Sequence, residues 1–264
     1  MPASRTLITD NELFSCTQDD SILVLRQKRH IHSITDNIDD IFSFYQYLDQ
    51  ILTSRTYKGL LMLSARNPQA WRDHKNFWCN VLNSKRRSPH LDRYINIVNT
   101  LFLTLSKLGA LTVYAGSGSV SLFHLNLALT ADYRLVAADT VFENLDAGLG
   151  VVTKGSGYYL PRLLGVRKAA EVLQWRSFTA EEALEMGLVD RVVDTERLEE
   201  AALAFLRDSL GRTATTLLAV RKLLKCDLAE LQRTLELEDR LIKERFDSED
   251  FRQAFQTQCR EMPE

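Results

Sequence analysis

The segment GSGSVSLFHLNLALTADYRL, residues 116–135, carries polar side chains where an apolar stretch begins. A turn of small residues leads into this stretch, which holds His124 and Asn126 near its start. An imidazole titrates near neutral pH and can act as an acid, a base or a hydrogen-bond donor. An amide does not exchange a proton as a carboxylate does, but it can orient a water or a carbonyl group. The two residues are therefore either core residues whose polar atoms are hydrogen-bonded within the protein, or residues that line a site.

The elements that position this segment alternate between strand and helix. Short apolar runs predict strands at residues 21–27, 57–65, 110–116 and 132–139. Apolar residues at helical spacing predict amphipathic helices at 37–52 and 94–109. Residues 66–90 mix polar, basic and aromatic side chains and are predicted to form a loop with some helix. The alternation indicates an α/β protein with parallel strand pairing.

After about residue 195 the pattern changes to helices alone. Residues 196–210, 214–225 and 227–246 are rich in Leu, Glu, Arg and Ala and show no strand signal. We therefore divide the chain into a core, residues 1–195, and a C-terminal helical region, residues 196–264.

Composition narrows the class of protein. The 264 residues include 33 Lys and Arg against 35 Asp and Glu, and a net charge of −2 gives no reason to expect a nucleic acid or a membrane surface as partner. The four cysteines lack metal-ligand spacing, so no metal site is expected and the thiols are interpreted as reduced. The N-terminus has no apolar signal core, and no apolar run approaches the roughly 20 residues that span a bilayer. These features predict a cytoplasmic protein.

Several segments resemble the crotonase superfamily, the enoyl-CoA hydratases and isomerases. The most specific is RSFTAEEALEMGLVDRVVD at 176–194, which is similar to the family's TAEEAL, GLV and VV pattern. Three further segments resemble the family: LPRLLGVRKAAEVL at 160–173, ADYRLVAADTVFENLDAGLGV at 131–151 and FDSEDFRQAF at 246–255. Together they extend the resemblance over roughly residues 57–257.

This resemblance implies a fold, an assembly and a chemistry. The fold would be a crotonase-type α/β spiral of ββα repeats, with a C-terminal helical region that forms homotrimers or hexamers. The substrate would be an acyl-CoA or acyl-carrier thioester, in fatty acid metabolism or a specialised biosynthesis, with no further cofactor. The family stabilises an enolate with two backbone N–H groups, one of them at the N-terminus of a buried helix. In comparable sites one such donor contributes on the order of 2.7–4 kcal/mol.

The resemblance also assigns roles to the first segment. Aligned without gaps back from Asp132, the family's first catalytic glutamate falls on Asn126. The glycines that precede it fall on Leu122, Phe123 and His124. Phe123 would then contribute the helix-terminal N–H of the oxyanion hole. Its side chain crowds that donor, because glycines at this place let a thioester come close to the backbone.

The family's second catalytic glutamate falls on Asp146, one methylene shorter. In the family's isomerases this acid takes a proton next to the carbonyl and returns it two carbons along, so one carboxylate is enough. The alternative is that Asp146 only caps the loop before Gly148. His124 is a second candidate for proton transfer, whereas Glu143 is interpreted as a solvated side chain on a turn.

The other backbone donor would lie near His74 or Lys75. The family's Gly-Ala-Asp stretch is replaced there by RNPQAWRDHKNFW, residues 66–78. A backbone donor does not depend on its side chain, so the loss of this motif leaves the oxyanion hole possible. Lys75, Arg72 and Arg66 could contact the phosphates of coenzyme A.

Three hypotheses remain open at this point. The first is a thioester-processing enzyme that works through an enolate with Asp146 as acid and base. Double-bond isomerisation is then favoured, and decarboxylation or hydrolysis would need only the oxyanion hole. The second is a hydratase in which Asn126 positions the water that Asp146 activates. The third is a crotonase-fold binding module or accessory subunit that has lost its chemistry.

Overall fold

The computed structural model describes residues 7–29, 38–54, 56–66, 70–83, 87–211, 214–224, 227–249, 251–253 and 255. Residue 37, where the first helix is expected to begin, and the end of the chain from 256 lie outside the described residues.

The parallel strands predicted from apolar runs form the centre of the larger sheet. The strands of that sheet are β1 (Thr9–Asp10), β2 (Phe14–Asp19), β3 (Ile22–Gln27), β4 (Gly59–Leu63), β5 (Leu111–Gly116), β7 (Tyr133–Ala137) and β10 (Arg191–Val193). They lie in the order β1-β2-β3-β4-β5-β7-β10. The first three pair antiparallel, and all pairs from β3 to β10 are parallel. A smaller sheet contains β6 (Ser119–Ser121), β8 (Val141–Glu143) and β9 (Ser177–Thr179).

Helices lie on both faces of the larger sheet. The helices of the described chain are α1 (Ile38–Thr53), α2 (Ala70–Asn83), α3 (Arg87–Lys107), α4 (Leu122–Ala128), α5 (Leu145–Leu149), α6 (Ser156–Val172), α7 (Ala180–Glu185), α8 (Leu198–Ser209), α9 (Ala214–Leu224) and α10 (Leu228–Asp247). Among the described residues, no helix is both long and apolar enough to cross a membrane.

Helix α8 belongs to the same core as the sheet. Its buried residues Leu198, Ala202 and Leu206 pack on one face of the sheet, against apolar residues such as Leu61 and Val113. The other face packs against α1, α3 and α4. Strands that are buried on both faces have continuous runs of apolar residues, which explains why β3, β4 and β5 can be predicted from the sequence. The predicted division at residue 195 therefore runs between elements that share a core.

The prediction of a loop with some helix over 66–90 underestimates the helix. This stretch contains α2 and the first turn of α3, which begins at Arg87 and not at residue 94. In α2 the buried residues His74, Phe77, Trp78 and Val81 lie at the spacing of one helical face. The first member of this stripe is polar, so the apolar pattern alone does not reveal the helix.

Candidate functional site

Helix α4 begins where the sequence predicts a buried helix. Its first residue is Leu122, so Phe123 is the second, and both are fully buried. The preceding Ser121 caps the helix, because its Oγ accepts a hydrogen bond from the His124 backbone N–H at 3.3 Å. The expectation that Phe123 marks the N-terminus of a buried helix is therefore confirmed.

Aromatic rings pack around this first turn. The Phe123 ring lies 6.4 Å, between ring centroids, from both Tyr94 and Phe102 of α3. Tyr94 in turn contacts Trp78 of α2, with ring centroids 5.1 Å apart. Where the family has glycine, this chain thus places a large side chain in a continuous aromatic cluster.

Asp146 forms a buried pair with a histidine from a distant part of the chain. The Asp146 Oδ1 atom lies 2.7 Å from His74 Nε2, and the two side chains are 6% and 2% exposed. Trp78 lies one turn beyond His74 on α2, and its Nε1 is 3.3 Å from the same Asp146 oxygen and 3.2 Å from His74 Nε2. An indole N–H only donates, so we assign both N–H groups to the carboxylate. The carboxylate is then held by two donors from one face of α2.

Another residue, and not Asp146, caps this part of the chain. Asn144 caps α5, because its Oδ1 accepts from the Ala147 N–H at 3.2 Å, and its Nδ2 donates to the Leu173 carbonyl at 2.8 Å. Asn144 also fixes the start of the short helix that carries Asp146. The Asp146 side chain is therefore available to His74 and Trp78.

His74 contributes its side chain to the site and not its backbone. Helix α2 starts at Ala70, so the amides of His74 and Lys75 fall in the helix interior, where each N–H bonds the carbonyl four residues earlier. The prediction of a second backbone donor near these residues is therefore wrong, because both N–H groups are used inside the helix. Sequence reasoning missed the role of the His74 imidazole, since nothing nearby in the sequence marks its partner.

The amide group of Asn126 holds a loop. The side chain is fully buried, and its Nδ2 donates to the Lys154 carbonyl at 2.9 Å and to Ser156 Oγ at 2.8 Å. Both amide hydrogens are thus used within the protein. The structure places Asn126 at the junction between α4 and the loop that precedes α6.

A buried charge network anchors this loop to α10. Lys154 is fully buried, and its Nζ lies 2.6 Å from Asp239 Oδ1, 2.8 Å from the Leu235 carbonyl and 3.6 Å from Glu238 Oε2. We call Lys154, Glu238 and Asp239 the Lys154 network. Glu238 also accepts the backbone N–H groups of Gly155 and Gly157, at 2.8 and 2.9 Å. Glu238 lies on the buried face of α10 with Leu231, Leu235 and Ile242, a place where the apolar pattern does not predict a charged side chain.

We expect the Glu238→Gln variant to differ from wild type in its pH dependence of stability. Burial raises the pKa of Glu238 above its ordinary value near 4.5, although Lys154 and the two glycine N–H groups oppose the rise. Above that value the unfolded chain ionises while the folded chain keeps the proton, so this residue's contribution to stability is lost as pH rises. The free energy of unfolding of wild type, relative to Glu238→Gln, should therefore fall as the pH rises above the ordinary value of 4.5.

Urea unfolding at a series of pH values measures this difference. The exposed Glu236 of the same helix offers the control variant Glu236→Gln. A wild-type advantage that grows with pH would contradict the assignment.

The three cations predicted to contact coenzyme A differ in exposure and in position. Arg66 forms an ion pair with Asp139, with 2.8 Å between Nη2 and Oδ2. Arg72 is exposed and Lys75 half-buried on α2. Within the described residues, no group of three or more His, Cys, Asp or Glu side chains could hold a metal ion.

His124 and Glu143 each have a local partner. His124 is buried, and its Nδ1 lies 2.8 Å from the Ser121 Oγ. Glu143 is half-buried and accepts a hydrogen bond from the Ser119 hydroxyl, and it ends strand β8, so the interpretation that it lies on a turn is wrong.

Comparisons with known proteins agree with this architecture. The family model for enoyl-CoA hydratase/isomerase matches residues 85–261, more than half of the chain. An enoyl-CoA hydratase from Bacillus halodurans shares the fold with a TM-score of 0.76 at 17% identity, over 95% of this chain and 100% of that one. An enoyl-CoA hydratase/isomerase from Pseudoalteromonas atlantica T6c gives 0.70 at 16% identity, over 93% and 96%. OdaA from Pseudomonas aeruginosa gives 0.71 at 20% identity, over 94% and 98%.

The two kinds of match support one conclusion. The solved structures share the mixed α/β architecture over nearly the whole chain at low identity, which shows the crotonase fold. The family model independently covers the segment that contains α4, the His74 partner Asp146 and the C-terminal helices. The chain therefore belongs to the enoyl-CoA hydratase/isomerase family.

Proposed function

We propose that this chain is an enzyme that processes an acyl-CoA or acyl-carrier thioester, with the buried His74–Asp146 pair as its acid/base centre. The observation that carries the proposal is the 2.7 Å contact between His74 Nε2 and Asp146 Oδ1. Buried pairs of titratable groups are typical of proton-transfer sites. Family membership supplies the class of substrate.

The proposed reaction runs through an enolate. Asp146 takes a proton from the carbon next to the thioester carbonyl, and the electron pair of that C–H bond moves onto the carbonyl oxygen. The N–H of Phe123, at the positive end of α4, stabilises the negative oxygen. Asp146 then returns the proton two carbons along, which shifts the double bond. His74 and Trp78 orient the carboxylate throughout.

The contacts of Asn126 favour isomerisation over hydration. A family hydratase holds its water between two carboxylates, and at the first of those positions this chain has an amide. Both hydrogens of that amide bind the loop at Lys154 and Ser156. One proton-transferring carboxylate, Asp146, remains, which suits a proton shuttle better than the addition of water.

Deuterium exchange tests this proposal. A panel of short- and medium-chain acyl-CoAs is incubated with the protein in D₂O, and mass spectrometry follows deuterium at the α-carbon together with any change of product mass. Exchange or isomerisation that depends on Asp146 supports the proposal. Substrate binding without exchange contradicts it, and loss of CO₂ or of coenzyme A without exchange assigns decarboxylation or hydrolysis instead.

A second candidate function is an accessory or binding subunit without chemistry. The observation that favours it is the packing of the Phe123 ring against Tyr94 and Phe102, at the turn where a thioester would approach. Calorimetric titration with the same acyl-CoAs separates the two, since an accessory subunit of this kind would bind none of them.

The same proposal includes assembly as a homotrimer or a dimer of trimers. Helix α9 exposes Leu223 and Leu224 at 85% and 79%, and α10 exposes Leu237 and Leu241. Exposed apolar surface of this kind marks a contact between proteins. Light scattering at micromolar concentration should give a trimer or hexamer, and a stable monomer would contradict it.

The free thiols of Cys16 and Cys79 support a cytoplasmic location.

A further inference from the structure

A small cavity lies on the flank of α4 that faces away from Asn126. Its volume is about 80 Å³. Helix α4 contributes His124, Leu127 and Ala128, which share one helical face. Strands β2 to β5 and helices α1 and α3 supply the other walls, which are mostly apolar. The described lining residues include neither His74 nor Asp146, so this cavity is separate from the candidate acid/base centre.

Two hydroxyl groups in this cavity lack a well-formed hydrogen bond. Tyr114 is 8% exposed, and its hydroxyl and the Ser64 Oγ are both buried without a partner of good geometry. Burial raises the pKa of Tyr114 to about 12, and the neighbouring Ser64 hydroxyl partly offsets the rise. Tyr114 therefore remains a hydrogen-bond donor at neutral pH. Even if the two hydroxyls bond to each other, one O–H is left to donate.

The backbone holds the Tyr114 hydroxyl at the end of β5. Tyr114 and Gly116 lie on the same face of the strand, because side chains alternate along it. A Cβ atom at residue 116 would lie 2.7 Å from the Tyr114 hydroxyl oxygen, so only glycine leaves room for it. Ser64 follows β4 directly and donates its backbone N–H to the Ala115 carbonyl at 2.9 Å, which brings its side chain to the same end.

An unsatisfied buried hydroxyl costs about 1–3 kcal/mol, so its partner is expected to come from outside the chain. The described lining residues include no Lys, Arg, Asp or Glu, which disfavours a charged ligand because a buried charge needs a counter-charge. Since an apolar cavity of about 150 Å³ holds a benzene molecule, this one admits roughly three to five non-hydrogen atoms.

We propose that the cavity binds a small neutral molecule, or a neutral group of a larger one, that carries a carbonyl-type oxygen. The oxygen accepts hydrogen bonds from the Tyr114 and Ser64 hydroxyls, and the carbon atoms lie against Met62, Leu127 and Ala128. This site goes beyond the proposed thioester chemistry and does not depend on it.

Methyl NMR with 2-butanone as the probe tests this inference. Saturable shifts are expected at the methyl groups of Met62, Leu127 and Ala128. Tyr114→Phe removes the donor and should weaken binding by about 2- to 10-fold, since a neutral hydrogen bond contributes about 0.5–1.5 kcal/mol. Ser64→Ala, which changes the packing less, should also weaken it.

Tyr133→Phe is the matched control. Tyr133 lies on the adjacent strand β7, and its ring packs 4.9 Å from Phe205 of α8 on the other face of the sheet. This variant should bind 2-butanone as wild type does. Absence of saturable shifts, unchanged affinity in both cavity variants, or a high-resolution crystal structure with only water at the two hydroxyls in the presence of butanone would each overturn the inference. None of these readouts involves turnover.

Discussion

Asp146→Asn should lower turnover by a factor on the order of 10² to 10⁴ while acyl-CoA affinity changes little. Asparagine keeps the size of the side chain and an oxygen that can accept from the Trp78 N–H, but it cannot take a proton. The loss therefore falls on kcat and not on binding. Rates of α-proton exchange give the first quantity, and calorimetric titration with the same acyl-CoA gives the second.

Two further variants make this result specific. Glu143→Gln removes an acid three residues earlier, whose partner is Ser119, and should keep full activity. His74→Gln should move the pH dependence of kcat/KM, because His74 acts on the reaction through Asp146. If Asp146→Asn retained full activity, the isomerase interpretation would be wrong, and His124 or the helix N-terminus alone would be the better account.

The second large effect is expected at Lys154. Lys154→Met should lower the free energy of unfolding by about 3–5 kcal/mol, because it leaves the acidic members of a buried ion cluster without their counter-charge. Glu238 and Asp239 would then face each other beside the glycine-rich loop that starts α6. Urea denaturation, read by circular dichroism, measures the loss.

Lys243→Met is the control for this variant. Its ion pair with Asp92, at 2.7 Å, lies on the surface with both side chains nearly half exposed, so its loss should cost less than about 1 kcal/mol. Glu238→Gln in the Lys154→Met background should restore part of the stability. A Lys154→Met protein as stable as its surface control would show that the network is not needed.

Most of the fold can be predicted because its signals are local. Strands β4 and β5 are continuous apolar runs, and the helices α8 and α10 have clear periodic stripes. Helix α2 shows the limit of this reasoning. Its stripe includes His74, which counts as polar in the sequence and becomes a buried residue only through its partner.

The candidate site depends on contacts that the sequence does not display. Trp78 and Asp146 are 68 positions apart, and no spacing rule connects α2 with α5. The family resemblance does select Asp146, but it selects His74 for a backbone role that the helix excludes. The Lys154 network could not be predicted for the same reason. In the sequence Lys154 is a lysine in a loop, and its burial depends on the packing of α10 over that loop.

The hydrogen bonds of Asn126 also constrain how this chain can change. A glutamate at this position has no hydrogen to give to the Lys154 carbonyl, 2.9 Å from the present amide nitrogen, and its carboxylate would repel that oxygen. The loop before α6 would have to rearrange, and with it the charges on α10 that the same loop binds. A return to two-carboxylate chemistry therefore requires coordinated substitutions in three segments, so a mutational path that restores the glutamate first passes through a destabilised protein.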